Sequence, residues 1–174
     1  MKGLNLDNNV RVVVTGSAWM GRGIGSVESA IEDILSKAKE EIQIAAFQIT
    51  EGSNPFLELI ESNLSRGIRV TLIINKFESQ PLAIQKELDR LAVRFPHFTQ
   101  VDFDPKNRKQ DLHAKIIVVD RSVALVGSPN LTWRGLVLNH ELAVVLSGPV
   151  AGTIGGLLDS LATDSFASVR NAGS

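Results

Sequence analysis

An α/β fold, a mixed β-sheet sandwiched between helices, is predicted for these 174 residues by three observations. Short apolar, β-branched runs recur along the chain, long enough for strands and too short for helices. Between them lie segments whose apolar residues repeat at helical spacing. The two kinds alternate, as expected when helices cover a sheet.

Taken in order, residues 10–15 (VRVVVT) open as a strand. Residues 17–25 form a Gly-rich connection, and with no Gly-Lys-Ser/Thr after Gly21, Gly23 and Gly25 it reads as a flexible loop rather than a phosphate loop. Ser26 is placed to N-cap a helix whose stripe is Val27, Ala30, Ile31, Ile34, Leu35 and Ala38. Residues 42–49 read as the next strand. Asn54-Pro55 starts a second helix with proline in its first turn, turning Phe56, Ile60 and Leu64 inward and ending at Gly67. A strand over 68–74 leads to a third helix over 81–95, with Leu82, Leu88 and Leu91 inward and Pro96 as its stop. Residues 99–103 make a short strand and 112–119 a buried one. Asp120-Arg121-Ser122 has the composition of a tight turn, residues 123–126 return as a strand, and 142–146 form a late one. Ile154, Leu157, Leu158 and Leu161 mark a final helix, after which residues 165–174 are expected to fray or begin a linker. The expectation is one domain over 1–174, with a core at about 10–168 and a flexible tail at 169–174.

Hydrophobic residues make up 44% of the chain and charged residues 21%, a balance that can bury a core. No apolar run reaches the ~18–20 residues of a membrane span, and the first residues lack the apolar stretch of a secretory signal. Zero cysteines exclude disulfides and thiolate metal sites, and suit a reducing cytoplasm. Histidines at 97, 113 and 140 are too scattered for a histidine-rich metal site. The net charge of −1 argues against a uniformly basic coat. Yet Lys106, Arg108, Lys109, Lys115 and Arg121 crowd one segment against Asp111 and Asp120, with Arg134 close behind, which suggests a positive rim for a polyanion.

The densest chemistry lies inside that segment. His113, Lys115, Asp120, Gly127, Ser128 and Asn130 spell H-x-K-x4-D-x6-G-S-x-N, and the pattern occurs once. On a strand, His113 and Lys115 share a face. Gly127 would let the backbone approach a ligand, and Ser128 and Asn130 add neutral donors. This set suits a phosphate ester. A neutral ring nitrogen of His113 can attack phosphorus while Lys115, Ser128 and Asn130 hold the equatorial oxygens. The leaving oxygen then needs a proton, which an imidazole with an ordinary pKa near 6.5 can supply. One imidazole cannot serve both purposes, so one motif per chain predicts a two-fold homodimer with both motifs at a shared site.

Residues 113–130 resemble the HKD motif of the phospholipase D superfamily, and the wider chain is similar to its short single-motif members, the phosphodiesterase-type nucleases. The resemblance, which extends to Ile44–Thr50 as the family's first core strand, implies a phospholipase D-like fold. It also implies histidines acting as nucleophile and acid/base, phosphate held by Lys115, Ser128 and Asn130, an architectural role for Asp120, and no metal or cofactor. A downstream acidic residue that orients the histidine is matched by Glu141 in Asn139-His140-Glu141. Lys109, Arg108 and Trp133 are further candidates for substrate contact, Trp133 as a stacking surface near the pocket. His97 and His140 are read as structural or solvated. The leading expectation is a metal-independent endonuclease, with DNA the expected substrate. The alternatives are a lipid-directed phospholipase D or phosphatidyl transferase, or a nucleic-acid-binding subunit of a larger defence or restriction complex. Lipid-directed relatives usually carry two motifs in a longer chain, and no amphipathic membrane-seeking helix with a basic face is visible here.

Overall fold

The computed structural model describes residues 9–50, 52, 54–106 and 109–170. Its strands are β1 (Asn9–Val14), β2 (Gly25–Ser26), β3 (Glu41–Ala46), β4 (Arg69–Asn75), β5 (Phe98–Phe103), β6 (Ile116–Val119), β7 (Val123–Gly127), β8 (Leu142–Ser147) and β9 (Ala167–Val169). Among the described residues they form one sheet in the order β2-β1-β8-β7-β6-β3-β4-β5-β9. β3, β4 and β5 run parallel, β6 to β8 are antiparallel, and the sheet is mixed as expected. The helices are α1 (Val27–Ser36), α2 (Asn54–Ser65), α3 (Leu82–Arg94) and α4 (Pro149–Ala162).

Both faces of the sheet are covered. Ile42, Ile44, Leu72, Ile74, Ile117 and Val119 pack with residues of α1, α2 and α3, while Ala45, Ile73, Val101 and Val118 pack with Ala151 and Leu158 of α4. Alternate residues of one strand therefore enter different layers, which is why the central strands read as continuous apolar runs. Each fully buried Ile or Leu contributes about 1.5–3 kcal/mol, so the central strands form a stiff base for the loops at their ends.

Local signals explain most boundaries. Ser26 Oγ accepts from Ser29 N and caps α1, all of whose expected stripe is buried. Gly67, at φ +83°, ends the α2 turn. Asp120 and Arg121 both have positive φ, and Ser122 N donates to Val119 O at 3.0 Å. This is the turn geometry that matches the twist of a tight hairpin.

Five expectations need correction. The strand expected over 112–119 is confined to β6, because the Leu112 amide is taken by the Asn75 side chain at 2.8 Å rather than by a neighbouring strand. The strand expected over 42–49 stops at Ala46, since the Gln80 side chain engages Phe47 O and Ile49 N. Leu82 is 63% exposed and Leu157 66% exposed; the inward stripes are Ile84, Leu88 and Leu91 in α3, and Ala151, Gly155 and Leu158 in α4. Residues 165–170, expected as fray or tail, instead include β9, paired antiparallel with β5. Arg170 N donates to Gln100 O at 2.9 Å and its guanidinium lies 3.4 Å from the Phe77 ring centroid. Among the described residues no helix is long and apolar enough to cross a membrane.

Candidate active site

The site forms where the carboxyl ends of parallel β3 and β4 meet the segment that enters β6 and the segment that leaves β7. In open α/β sheets such strand ends leave a crevice for ligands. β3 runs into Phe47, and β4 ends on Asn75. The buried Asn75 side chain accepts from Leu112 N at 2.8 Å and donates to Asp111 Oδ1 at 3.4 Å. That fixes the backbone one residue before His113.

His113 is exposed, and its ring packs on Phe47 with centroids 4.7 Å apart. Lys115 is only 8% exposed. Its Nζ lies 3.0 Å from His113 Nδ1, 3.1 Å from Nε2 and 2.8 Å from His113 O, to which it donates. The same ammonium sits 5.3 Å from the Phe47 centroid, within range of a cation–π attraction. Burial lowers the Lys115 pKa, and the Glu141 carboxylate partly opposes this. The two alternating positions of the motif thus meet on one face, as the spacing predicts.

β7 delivers the next pair. Ser128 Oγ donates to Glu141 Oε2 at 2.5 Å and accepts from Leu142 N at 3.2 Å. Asn139 Nδ2 donates to Glu141 Oε1 at 3.4 Å. Glu141 is therefore held by Ser128 and Asn139 of its own chain, whereas an orienting contact to His113 was expected. Asn130 has a buried Oδ1 with no hydrogen-bond partner among the described residues. Gly127 has a role different from the expected one. A Cβ there would lie 2.5 Å from Ala143 Cβ and 2.6 Å from Leu142 O, so its lack of side chain lets β7 approach β8 rather than a ligand.

Asp120 sits at the opposite end of β6, where its carboxylate accepts from Lys39 N, Glu40 N and Glu41 N at 2.8–2.9 Å. Burial alone would raise its pKa, but the three backbone donors outweigh it and hold the carboxyl below the ordinary range. The seven residues from His113 span roughly 20 Å of extended chain, so Asp120 anchors the hairpin at a distance from the imidazole.

The expected basic rim is only partly assembled. Arg121 lies in the Asp120 turn, tied to Glu41 at 2.6 Å and Asp159 at 2.8 Å. Those carboxylates raise its pKa. Lys106 and Lys109 are exposed before His113, and Arg108 falls outside the described residues. Lys76, at φ +43° just after β4, reaches Asp111 Oδ1 at 2.7 Å. Trp133 is 47% exposed but packs over Gly52 and beside Pro55 and Phe56, around a cavity of about 30 Å³ with no motif residue in its wall.

The other histidines serve the fold. His97 Nε2 is 2.9 Å from Leu64 O; His140 Nε2 accepts from Ala18 N at 3.2 Å, and its ring meets Trp19 edge-on. Sequence reasoning missed Phe47, Asn75 and Gln80. Phe47 lies inside the strand expected over 42–49, Asn75 falls one residue past the strand expected over 68–74, and Gln80 sits just before the third helix, so none carries a local chemical signal.

Residues 31–158 match the family model described as "Cardiolipin synthase, PLD-like domain". Phospholipase D Y of Dictyostelium discoideum is 28% identical over 159 residues, covering 83% of this chain and 32% of that protein. The chain thus spans about a third of that relative's length. Among solved structures, Nuc from Salmonella typhimurium, a phospholipase D family member, superposes with a TM-score of 0.74 at 18% identity, covering 95% of this chain and 99% of Nuc. Phosphatidylserine synthase of Haemophilus influenzae gives 0.71 at 15% identity, with 94% of this chain and 40% of that one covered. The match over most of the chain, together with this site, places the protein in the phospholipase D superfamily, a family of phosphodiesterases.

Proposed function

We propose that the protein is a metal-independent phosphodiesterase that cleaves nucleic acid, with DNA as substrate, at a site completed by a second copy of the chain. One observation carries this reading. Of the three histidines, His97 and His140 are engaged in structural hydrogen bonds, leaving His113 as the one imidazole beside Lys115. A phosphorus centre attacked by one imidazole still needs an acid for its leaving oxygen, and His113 of the partner subunit supplies it.

In the proposed reaction, a neutral ring nitrogen of His113 attacks phosphorus and forms a P–N bond as the P–O bond to the leaving alcohol breaks. That alcohol takes its proton from His113 of the partner subunit. The same partner imidazole then deprotonates a water that attacks phosphorus. The P–N bond breaks, a phosphomonoester leaves, and both rings return to their starting states. Lys115 exchanges its His113 contacts for phosphate oxygens, and Ser128 and Asn130 donate to the same group. Lys106 and Lys109 extend the positive field along a polyanion.

The surface flanking Ser128 and Glu141 supports the second copy. Trp19, Met20, Val137, Leu138 and Leu142 are all 38–50% exposed there, joined through the bonds of His140 to the 16–20 loop and of Thr15 to Glu141 O. Exposed apolar side chains on segments next to the site are the kind of surface that a second copy would cover. The chain covers 99% of Nuc and 40% of phosphatidylserine synthase, which supports reading the site by analogy with the smaller protein.

The direct test is cleavage in excess EDTA, compared on duplex DNA, single-stranded DNA, RNA and phospholipid vesicles. Chelator-resistant DNA cleavage is expected. Activity confined to vesicles, or lost with chelator, overturns the reading. His113→Ala should remove turnover while leaving folding stability within about 0.5 kcal/mol, because the ring is exposed.

A further inference from the structure

We infer that Gln80 and Asn75 are positioning residues for His113, forming a buried amide clamp that sets the imidazole against both its aromatic wall and its own backbone. This rests on the reading of His113 as nucleophile given above. Gln80 follows the short 3-10 turn Phe77–Ser79 and is 6% exposed; Asn75 is 5% exposed. Neither belongs to the H-x-K pattern, and buried polar side chains are as a rule hydrogen-bonded.

The matching is specific to the site. Gln80 Nε2 donates to Asn75 O at 2.8 Å and to Phe47 O at 3.2 Å, while Gln80 Oε1 accepts from Ile49 N at 3.1 Å. Gln85 Nε2 in turn donates to Gln80 O at 2.8 Å. One side chain therefore ties the segment leaving β3 to the end of β4. Each of those segments touches the histidine by a separate route. Phe47 presents its ring to His113, and Asn75 Oδ1 holds the amide of Leu112, the residue next to it in the chain. Phe47 and Leu112 both lie outside the named strands: β3 stops at Ala46, with only the isolated Ile49–Leu131 bridge beyond it, and β6 begins only at Ile116. Without Gln80, the Phe47 carbonyl, the Ile49 amide and the Asn75 carbonyl lose their shared partner, and the two supports of the ring are coupled only through the β3–β4 ladder behind them.

The consequence is orientation without substrate contact. An imidazole that must meet phosphorus in line is sensitive to displacements of about 1 Å, which cost on the order of 10²-fold in rate. The clamp acts on the turnover step and not on substrate affinity.

Gln80→Met preserves volume and removes all three side-chain hydrogen bonds. The three histidines give three imidazole signals in a ¹H–¹³C NMR spectrum, and neither His97 nor His140 is hydrogen-bonded to the clamp, so both serve as internal controls. The expected result is a shifted or broadened His113 signal, unchanged His97 and His140 signals, and a kcat toward bis(p-nitrophenyl) phosphate lowered by roughly 10–10²-fold with KM little altered. An unmoved His113 signal with normal kcat overturns the proposal. So does a common shift of all three signals, which would mean general loosening. Amide exchange in the wild-type protein supplies a test that needs no variant: Leu112 and Ile49 amides should exchange slowly although they lie outside the strands, and fast exchange at both overturns the clamp. Should the wild type cleave no phosphodiester while Gln80→Met still moves His113 alone, the clamp stands and the nuclease reading falls.

Discussion

Ser128 Oγ donates to Glu141 Oε2 at 2.5 Å, so within one copy this carboxylate is bound by the serine that the motif assigns to phosphate. The pair is exposed, and an incoming phosphate would take the Ser128 hydroxyl and release Glu141 to solvent and to the Asn139 amide. Ser128→Ala and Glu141→Gln should each lower kcat, Ser128→Ala by on the order of 10²-fold. The double variant should lose less than the product of the two, because each change already breaks the same contact. Strictly multiplicative losses in a kinetic double-mutant cycle would show that the two act independently.

Lys115 carries the clearest electrostatic cost at the site. Burial depresses its pKa below the ordinary 10.5, so in the window between the folded and unfolded values the unfolded chain binds more protons. Stability therefore rises with pH through that window, and the charged amine penalises the fold at every pH below it. Lys115→Met should be inactive yet at least as resistant to urea as the wild type at pH 7, with the gap closing as pH approaches 10.5. Marked destabilisation of the variant at pH 7 would contradict this.

Asp120 behaves in the opposite sense. Its folded pKa lies below the ordinary 3.8, so the carboxylate stabilises the protein above that value, and the contribution is lost as pH falls through the folded pKa. Asp120→Asn keeps an acceptor for some of the three amides and tolerates the positive φ. It should cost about 1–3 kcal/mol at pH 7, with the difference shrinking toward pH 2 in parallel unfolding curves. A pH-independent difference would point to packing instead of charge.

The association face can be tested by one charge. Leu138 is 50% exposed beside the Asn139–Glu141 segment. If two copies pair as proposed, Leu138→Glu should turn the wild-type dimer seen by sedimentation into a monomer and abolish cleavage without unfolding the chain. A fully active monomer would sink the shared-site mechanism.

Much of the architecture was legible because central stretches such as Ile44–Ala46, Leu72–Ile74 and Ile117–Val119 are buried on both faces and read as unbroken apolar runs. Ser26 announced its helix through capping chemistry, and the alternation of His113 and Lys115 predicted their meeting. What stayed hidden depends on partners far apart in sequence. The Leu112 amide is satisfied by Asn75, 37 positions away, which ends the strand early where no local signal marks an end. Glu141 could be placed near the site from its position, but not paired, since its choice of Ser128 depends on how closely β7 approaches β8 at Gly127. The tail was misread because Ala167–Val169 is a short stretch whose strand character comes from the free edge of β5.

The roughly sevenfold-longer reach between Asp120 and the imidazole than between Lys115 and the imidazole divides the motif into two genetic classes, at roughly 20 Å of extended chain against 3.0 Å. Alleles at the turn should be temperature-sensitive, recovering cleavage on cooling or when a second-site change restores the hairpin. Alleles at the ring should be silent at every temperature, and no suppressor elsewhere in the chain should revive them.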